Sequence, residues 1–273
     1  MCHNDTIIAL IFVLLCIFTA NACMDLPFDP DQCQPGLSVD CVIFGFHEND
    51  LKVLLLKLLQ GNEWALPGGF VFLDENLDRA AIRVLHERTG LEKIFLQQFH
   101  AFGQVERSPV THAARLVQEH SLHPGLQSWF EQRFITIGYY ALVEYSQVEK
   151  PQPDYFSETC AWFPVRGLPH LMLDHQAIIE RALQTVRFQL KYQPIGLNLL
   201  PEKFTMPELQ ALYETLLDQK LDRRNFQRKM LSYDVLIRTG EFRQGGAHKA
   251  PVLYAFDPVN YEQALRNGFR SVW

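Results

Sequence analysis

Several features that mark common protein classes are scarce in this chain of 273 residues. No two of its six cysteines stand at CxxC spacing, and three of them fall within the first 23 residues. This pattern argues against a disulfide framework or a zinc site, so we expect reduced structural thiols. Positive charge is not in excess either. The net charge of −6 gives the whole chain no general attraction to nucleic acid.

Long apolar runs are also missing, apart from Ile7–Ala20 at the N-terminus. That run is too short for a comfortable transmembrane helix, and the six residues before it carry no Lys or Arg, unlike a typical export signal. The Met24 that follows opens a polar stretch. We therefore interpret residues 1–23 as a leader added by a misassigned start, with no membrane association. An exported lipoprotein anchored at Cys23 is the alternative.

The chain has an ordinary globular composition, with 48% hydrophobic and 21% charged residues. After an N-terminal segment, 24–36, the pattern to residue 191 alternates between strands and helices. The predicted strands are 37–46, 51–60, 93–105, 133–144 and 159–165, and the predicted helices are 75–88, with Asp74 as N-cap and Gly90 as stop, and 175–191, with Asp174 as N-cap. Residues 106–132 fit no regular pattern and are interpreted as an irregular insertion.

Periodicity lapses over 192–200, which we interpret as a linker, and a second domain is predicted over 201–273. Thr205 and Glu208 form a capping-box pattern for a helix that ends near Leu217. A second, basic helix is predicted over 221–231. A hairpin with a glycine-rich loop follows it. This order of elements is typical of a winged helix-turn-helix that binds DNA.

The charge is divided unevenly between the two halves. Residues 1–200 hold 14 basic and 22 acidic residues, a net charge of −8, whereas 201–273 hold 11 basic and nine acidic, a net charge of +2. Within 220–249, eight basic and three acidic residues give +5. Distant acidic residues are screened beyond about 10 Å at 0.1 M salt, so this local excess can act on DNA phosphates.

The first half also contains a set of residues whose separations along the chain match a known motif. Its residues are Gly69, Glu75, Arg83, Glu87 and Gly90. Their spacing is that of the Nudix box, and over about 37–190 the chain resembles the Nudix family. The resemblance implies an α-β-α sandwich, a mixed sheet with flanking helices. It also implies a helix whose carboxylates hold Mg²⁺ or Mn²⁺, which activate a water against a pyrophosphate.

Two metal-ligand positions of the box are changed, because Val84 and Arg88 stand where the family has Glu. Only Glu87 keeps a ligand position, and one carboxylate cannot neutralise two divalent cations. We therefore predict that hydrolysis is absent or vestigial and that no cofactor is needed. The alternative is a working Nudix hydrolase with Mg²⁺ or Mn²⁺ at Glu87 and further ligands from Glu106 or Glu119.

A ligand-binding cleft can remain in a domain whose metal ligands have changed. Arg83, Glu87, Arg88 and Phe70 are our candidate ligand-binding residues, since the arginines suit phosphates and the ring suits a base. Two plainer interpretations stay open. Arg83 has the i, i+4 spacing for an ion pair with Glu87. Phe70 and Phe72 can also simply fill core, which is the interpretation that we favour for them.

Taken together, the halves resemble the Nudix-related transcriptional regulators over about 30–260. The resemblance implies a cytoplasmic homodimer that binds a double-stranded DNA operator and senses ADP-ribose, a related NAD metabolite, or a sugar such as arabinose. Asn225 would contact adenine and Arg228 guanine. The DNA-binding residues that it implies are Arg223, Arg224, Asn225, Arg228 and Lys229 on the second helix and Arg243, His248 and Lys249 in the wing.

Overall fold

A computed structural model describes residues 29–59, 62–91, 95–107, 127–148, 150–153, 156–194, 196–243 and 250–269. The predicted leader, most of the 106–132 insertion, and His248 and Lys249 lie outside these ranges. Within them, no helix is both long enough and apolar enough to cross a bilayer.

One mixed sheet organises the first half of the chain. Its strands are β1 (Cys33–His47), β2 (Asp50–Leu58), β3 (Trp64–Ala65), β4 (Gly68–Phe72), β5 (Phe95–Phe102), β6 (Ile135–Glu144) and β7 (Ser157–Pro164). Strand β1 is central: it pairs with β6 in parallel, and with β2 and β4 antiparallel at different points along its other edge. Strands β5 and β7 add to β6 and β2.

A tight turn joins β1 and β2. Glu48 and Asn49 both have positive φ values, 52° and 58°. A two-residue hairpin turn with left-handed backbone at both positions matches the twist of the flanking strands, so this turn sets the β1–β2 register.

Two helices cover the two faces of the sheet, α1 (Leu77–Thr89) and α3 (His175–Gln189). The alternation of β1 explains the split, because Cys41 and Ile43 pack in the α1 core while Val42 and Phe44 pack in the α3 core. The same alternation runs along β6. A short helix α2 (Gln127–Phe130) lies beside the sheet. The predicted α-β-α sandwich is confirmed.

Some predicted boundaries need correction. Helix α1 begins at Leu77, and its N-cap is Asn76, whose Oδ1 accepts from Arg79 N at 2.9 Å. Asp74 instead lies in the preceding turn. Gly90 ends the helix as predicted, in left-handed conformation at φ 71°. Strand β4 was missed, because Pro67 and two glycines are poor strand signals.

The second half forms a winged helix domain. Its elements are β8 (Phe204–Thr205), α4 (Met206–Leu217), α5 (Arg223–Ser232), β9 (Leu236–Phe242), β10 (Val252–Phe256) and α6 (Pro258–Asn267). The predicted capping box is present: Thr205 Oγ1 accepts from Glu208 N at 3.3 Å, and Glu208 Oε2 accepts from Thr205 N at 2.7 Å. Helix α6, begun by Asp257 and Pro258, was not predicted.

The two domains share a hydrophobic core. The α3 face of the sandwich continues through Val186, Leu199 and Leu200 into Leu212 and Leu216 of α4. Leu199 and Leu200, at the end of the segment that links the domains in sequence, are therefore part of this core and are buried. A continuous core couples the stability of one domain to that of the other.

We predict that Leu212→Ala destabilises both domains together. Leu212 is fully buried, and removal of a buried leucine side chain costs about 2–5 kcal/mol of unfolding free energy. Trp64, Trp129 and Trp162 lie in the sandwich. In a Trp273→Phe background, urea unfolding followed by tryptophan fluorescence reports the sandwich alone.

The fluorescence midpoint should fall by the same amount as the midpoint from far-UV circular dichroism. Val259→Ala is the control, because Val259 is 65% exposed in the same domain. An unchanged fluorescence midpoint in Leu212→Ala would contradict a shared core.

Candidate ligand cavity and nucleic-acid interface

The loop before α1 is fixed by Arg83. Its guanidinium donates to both carboxylate oxygens of Glu75, at 2.6 and 3.1 Å, and to the carbonyl oxygen of Phe70 at 2.8 Å. Burial opposes ionisation of Glu75, but hydrogen bonds from Arg83 and from Phe72 N outweigh it and hold the pKa of this carboxyl below its ordinary value. The anticipated pair with Glu87 is present at 3.7 Å as a longer, additional contact.

The two positions where the family has a metal-ligating Glu hold side chains that do not bind a divalent cation. Val84 is buried in the α1 core. Arg88 is also buried and donates to the Pro153 carbonyl oxygen at 2.8 Å and to Glu87 Oε2 at 3.1 Å. Glu87 therefore lies between two guanidinium groups, those of Arg83 and Arg88.

This donor set does not fit Mg²⁺ or Mn²⁺, which take several oxygen ligands. Across the described ranges, no three His, Cys, Asp or Glu side chains are grouped so as to hold a metal ion. Glu106, one alternative ligand, is exposed on a turn of 3₁₀ helix at Val105–Arg107. Glu119 lies outside the described residues.

A cavity of about 220 Å³ opens on the side of β4 that faces away from Arg83, Glu87 and Arg88. It is mainly apolar, with a small polar part. Its lining residues are Ser38, Asp40, Leu56, Leu58, Ala65, Leu66, Gly68, Gly69, Phe70, Arg107, Phe130, Phe134, Phe156, Met172, Leu173 and His175. Of the four predicted ligand residues, Phe70 lines the cavity, whereas Arg83, Glu87 and Arg88 do not.

Phe70 belongs to an aromatic wall. Its ring centroid lies 5.8 Å from that of Trp129 and 5.4 Å from that of Phe134, in edge-on and tilted geometries. Phe70 is a half-buried side chain that packs against these rings and also lines the cavity, and its contact with a ligand stays a prediction. Because Arg83 holds the Phe70 carbonyl, the signature helix indirectly positions this wall.

The polar part of the cavity is a buried charge network. Arg107 donates to Asp40 Oδ2 at 2.8 Å and to Asp174 Oδ2 at 3.0 Å. Asp40 and Arg107 are 7% exposed, so each charge is desolvated and depends on its partner. Sequence reasoning missed this network, since its members come from β1, the edge of the insertion and the start of α3. The one available signal was an aspartate inside an apolar strand.

His175 completes the cavity floor. Its Nδ1 accepts a hydrogen bond from Leu66 N at 2.8 Å. Burial lowers the pKa of this imidazole below its ordinary value, so it is neutral at pH 7. With a lone pair on Nδ1, the neutral ring carries its proton on Nε2, which faces Asp40 Oδ1 at 4.0 Å.

The predicted recognition helix presents its basic side chains to solvent. Phe226 and Met230 anchor one face of α5 in the core. At 100° per residue, Arg224, Asn225 and Arg228 lie on the opposite face. The residues that lie on the flanks between the two faces are Arg223 and Lys229. All five are exposed. Arg228 donates to Asn225 Oδ1 at 2.9 Å, so two of the candidate base-contacting groups are already held together.

Arg243 lies at the base of the wing. Its guanidinium donates to both carboxylate oxygens of Glu208 at 2.7 Å. This pair ties the wing to the N-terminus of α4. His248 and Lys249 lie outside the described residues, so their predicted place in the wing stays a prediction.

The turn between α4 and α5 is held by the sandwich domain. Arg187 of α3 donates through Nε to the Leu216 carbonyl oxygen at 2.8 Å. Arg166 pairs with Asp218, the left-handed residue that ends α4. Thr215 Oγ1 donates to the carbonyl oxygen of Asn49 at 3.1 Å. Helix α3 therefore has the cavity at its N-terminus and the turn between α4 and α5 at its C-terminus.

Comparison with known proteins gives a consistent result. The sequence matches the NUDIX domain family over residues 34–184 and the NrtR DNA-binding winged helix domain over residues 196–256. It is 29% identical over 239 residues to the ADPR responsive transcriptional repressor NtrR of Acinetobacter baylyi, covering 85% of this chain and 86% of that protein.

Two further relatives cover different lengths. An ADP-ribose pyrophosphatase of Methanocaldococcus jannaschii is 32% identical over 87 residues, which are 31% of this chain and 49% of that protein. The crystal structure of Shewanella oneidensis NrtR complexed with a 27mer DNA aligns with a TM-score of 0.66 at 28% identity. The alignment covers 83% of this chain and 95% of that chain. The chain accordingly belongs to the Nudix family, with its Nudix domain joined to a winged helix domain of the NrtR type.

Proposed function

We propose that this protein is a transcriptional regulator whose Nudix domain binds ADP-ribose and thereby changes the affinity of the winged helix domain for operator DNA. The observation that carries the proposal is the outer face of α5. Arg224, Asn225 and Arg228 are exposed together there, and the helix contains four basic and no acidic residues. Such a face suits phosphate contacts and the reading of base edges.

The effector is chosen from the relatives and from the cavity. The Acinetobacter baylyi repressor is ADPR responsive, and the archaeal relative is a pyrophosphatase of ADP-ribose. In this chain, the aromatic wall with Phe70 offers a surface for a base. A related NAD metabolite shares that base, whereas a pentose such as arabinose lacks it.

The assembly is proposed to be a cytoplasmic homodimer on a double-stranded operator. A single recognition helix contacts only one short half-site, and two helices related by a twofold axis contact two half-sites. The +5 charge of residues 220–249 supplies the phosphate attraction that each half-site needs.

The effector signal is proposed to pass along α3. Asp174 and His175, at the start of the helix, belong to the cavity network, and Arg187, near its end, holds the Leu216 carbonyl. A ligand changes DNA affinity only when it binds the two arrangements of the winged helices with different affinities. A rigid helix that touches both sites is a direct means of coupling them.

The proposal excludes efficient hydrolysis. Arg88 and Val84 leave a single carboxylate where the Nudix helix needs several, and metal chemistry at that helix supplies the charge that stabilises the transition state. ADP-ribose is thus a bound effector and leaves the protein unchanged.

We predict that Arg187→Ala weakens the coupling between effector and operator. Without its guanidinium, the last turn of α4 loses a donor that ties it to α3. The ratio of operator dissociation constants with and without saturating ADP-ribose should move toward one by at least about fivefold, within the usual 5–150-fold range of such couplings. Fluorescence anisotropy on an operator enriched from a random pool measures both constants.

Arg181→Ala on the same helix is the control, because Arg181 is exposed. An unchanged ratio in Arg187→Ala would show that the signal does not pass through this contact.

Arg228 and Lys229 should affect DNA binding differently. Arg228→Ala should cost about 1–3 kcal/mol on the selected operator and little on random DNA, since this residue faces the groove. Lys229→Ala should weaken both duplexes alike and reduce the slope of log K against log salt by about 1. If Arg228→Ala weakened binding to the operator and to random DNA equally, Arg228 would contact phosphates and not a base.

The purified protein should release no AMP from ADP-ribose in Mn²⁺ beyond a trace rate. The archaeal ADP-ribose pyrophosphatase serves as the positive control, and liquid chromatography of the products is the measurement. Turnover at ordinary enzyme rates, on the order of 1 s⁻¹ or more, would establish the hydrolase alternative.

A further inference from the structure

The floor of the cavity presents one hydrogen-bond donor and one acceptor side by side. His175 Nε2 and Asp40 Oδ1 are 4.0 Å apart, which is too far for a mutual hydrogen bond. Both residues line the cavity, and both side chains are more than nine-tenths buried. Two buried groups of opposite hydrogen-bonding type, separated by such a gap, form a complementary pair for the edge of a ligand.

The donor is fixed by the backbone. Leu66 N–H occupies His175 Nδ1 at 2.8 Å, so the ring cannot place its proton there. The proton therefore resides on Nε2, and this atom can donate but cannot accept. Because Leu66 immediately precedes Pro67 and β4, the orientation of the ring is built into the main chain.

The acceptor is fixed by Arg107 and by a glycine. Arg107 donates a hydrogen bond to Asp40 Oδ2, and in the described part of the chain Oδ1 accepts no hydrogen bond. A Cβ at Gly68 would stand 2.5 Å from Oδ1, so only glycine leaves the carboxylate in this place. Asp40 Oδ1 can accept but cannot donate.

The size of the cavity selects a part of the ligand. Its volume of about 220 Å³ is below the roughly 300–1,000 Å³ of pockets that hold a whole drug-sized molecule. Phe70, Phe130 and Phe134 line it. Aromatic rings of this kind stack on a nucleobase. The cavity therefore suits a single ring system.

We propose that Asp40 and His175 make the effector site selective for a 6-aminopurine over a 6-oxopurine. This inference rests on the proposed function, because it places the base of ADP-ribose in the cavity. The exocyclic amino group donates to Asp40 Oδ1, and a neighbouring ring nitrogen accepts from His175 Nε2–H. Hypoxanthine bound in the same orientation places its 6-oxo group against the carboxylate, and two acceptors repel each other.

Isothermal titration of the full-length protein with ADP-ribose and with its hypoxanthine analogue, inosine diphosphate ribose, tests the inference. The analogue should bind at least about tenfold more weakly, because it leaves a buried acceptor unpaired. The comparison needs no variant, so folding does not affect it.

Asp40→Asn is the matching variant, since an amide offers both a donor and an acceptor. In it, the affinities for the two ligands should differ by no more than about twofold. Asp31→Asn, the same change at an exposed aspartate that does not line the cavity, is the control and should keep the preference. Thermal unfolding checks that the loss of the Arg107 partner leaves Asp40→Asn folded.

The outcomes separate the two claims. Equal affinity of the wild-type protein for both nucleotides would overturn the selectivity while leaving ADP-ribose as effector. Loss of preference in Asp31→Asn as well would also overturn the roles of Asp40 and His175. Failure of the wild-type protein to bind ADP-ribose would remove the proposed effector and this inference with it.

Discussion

The packing of helix α3 between the mixed sheet and helix α4 is the constraint on which the rest of the structure depends. One side of α3 buries Ile178, Ile179 and Ala182 with the sheet, and the same core continues into Leu212 and Leu216 of α4. The polar ends of α3 are pinned as well, at Asp174 by Arg107 and at Arg187 by the Leu216 carbonyl. Apolar burial holds the helix between the domains, and the two arginine contacts fix its position along its axis.

The charges at the signature helix show that the fold persists where two of the family's metal-ligand positions hold other side chains. Arg83 donates hydrogen bonds to Glu75 and to the Phe70 carbonyl oxygen. These contacts are structural and hold the cavity wall in place. Arg88 places a fixed cation beside Glu87 and uses the Pro153 carbonyl to satisfy it. The Arg88 guanidinium is part of the folded chain, whereas a divalent cation must lose water from its hydration shell each time it binds. The box has kept its architectural residues and changed its metal-binding ones.

Local signals were predictable from the sequence, and long-range ones were not. The capping box of Thr205 and Glu208, the stop at Gly90 and the exposed basic face of α5 depend on residues within one or two turns of each other. The buried floor of the cavity depends on β1, the insertion edge and α3, separated by 67 residues at each step. No periodicity links such positions. The i, i+4 rule correctly found the Arg83–Glu87 contact, but it could not rank it below Glu75, which the loop brings to 2.6 Å.

The location of the cavity relative to the signature helix has a functional consequence. The groups that a hydrolase would use lie on α1, whereas the aromatic wall and the Asp40–His175 floor lie across β4 from it. The proposed recognition of a base and the family's cleavage of a pyrophosphate thus fall on separate elements of the fold. Changes at Val84 and Arg88 can abolish the second without disturbing the first, because neither residue lines the cavity. Meanwhile, α3 begins at the Asp40–His175 floor of the cavity and ends at the turn between α4 and α5. One helix therefore joins the cavity to the winged helix domain.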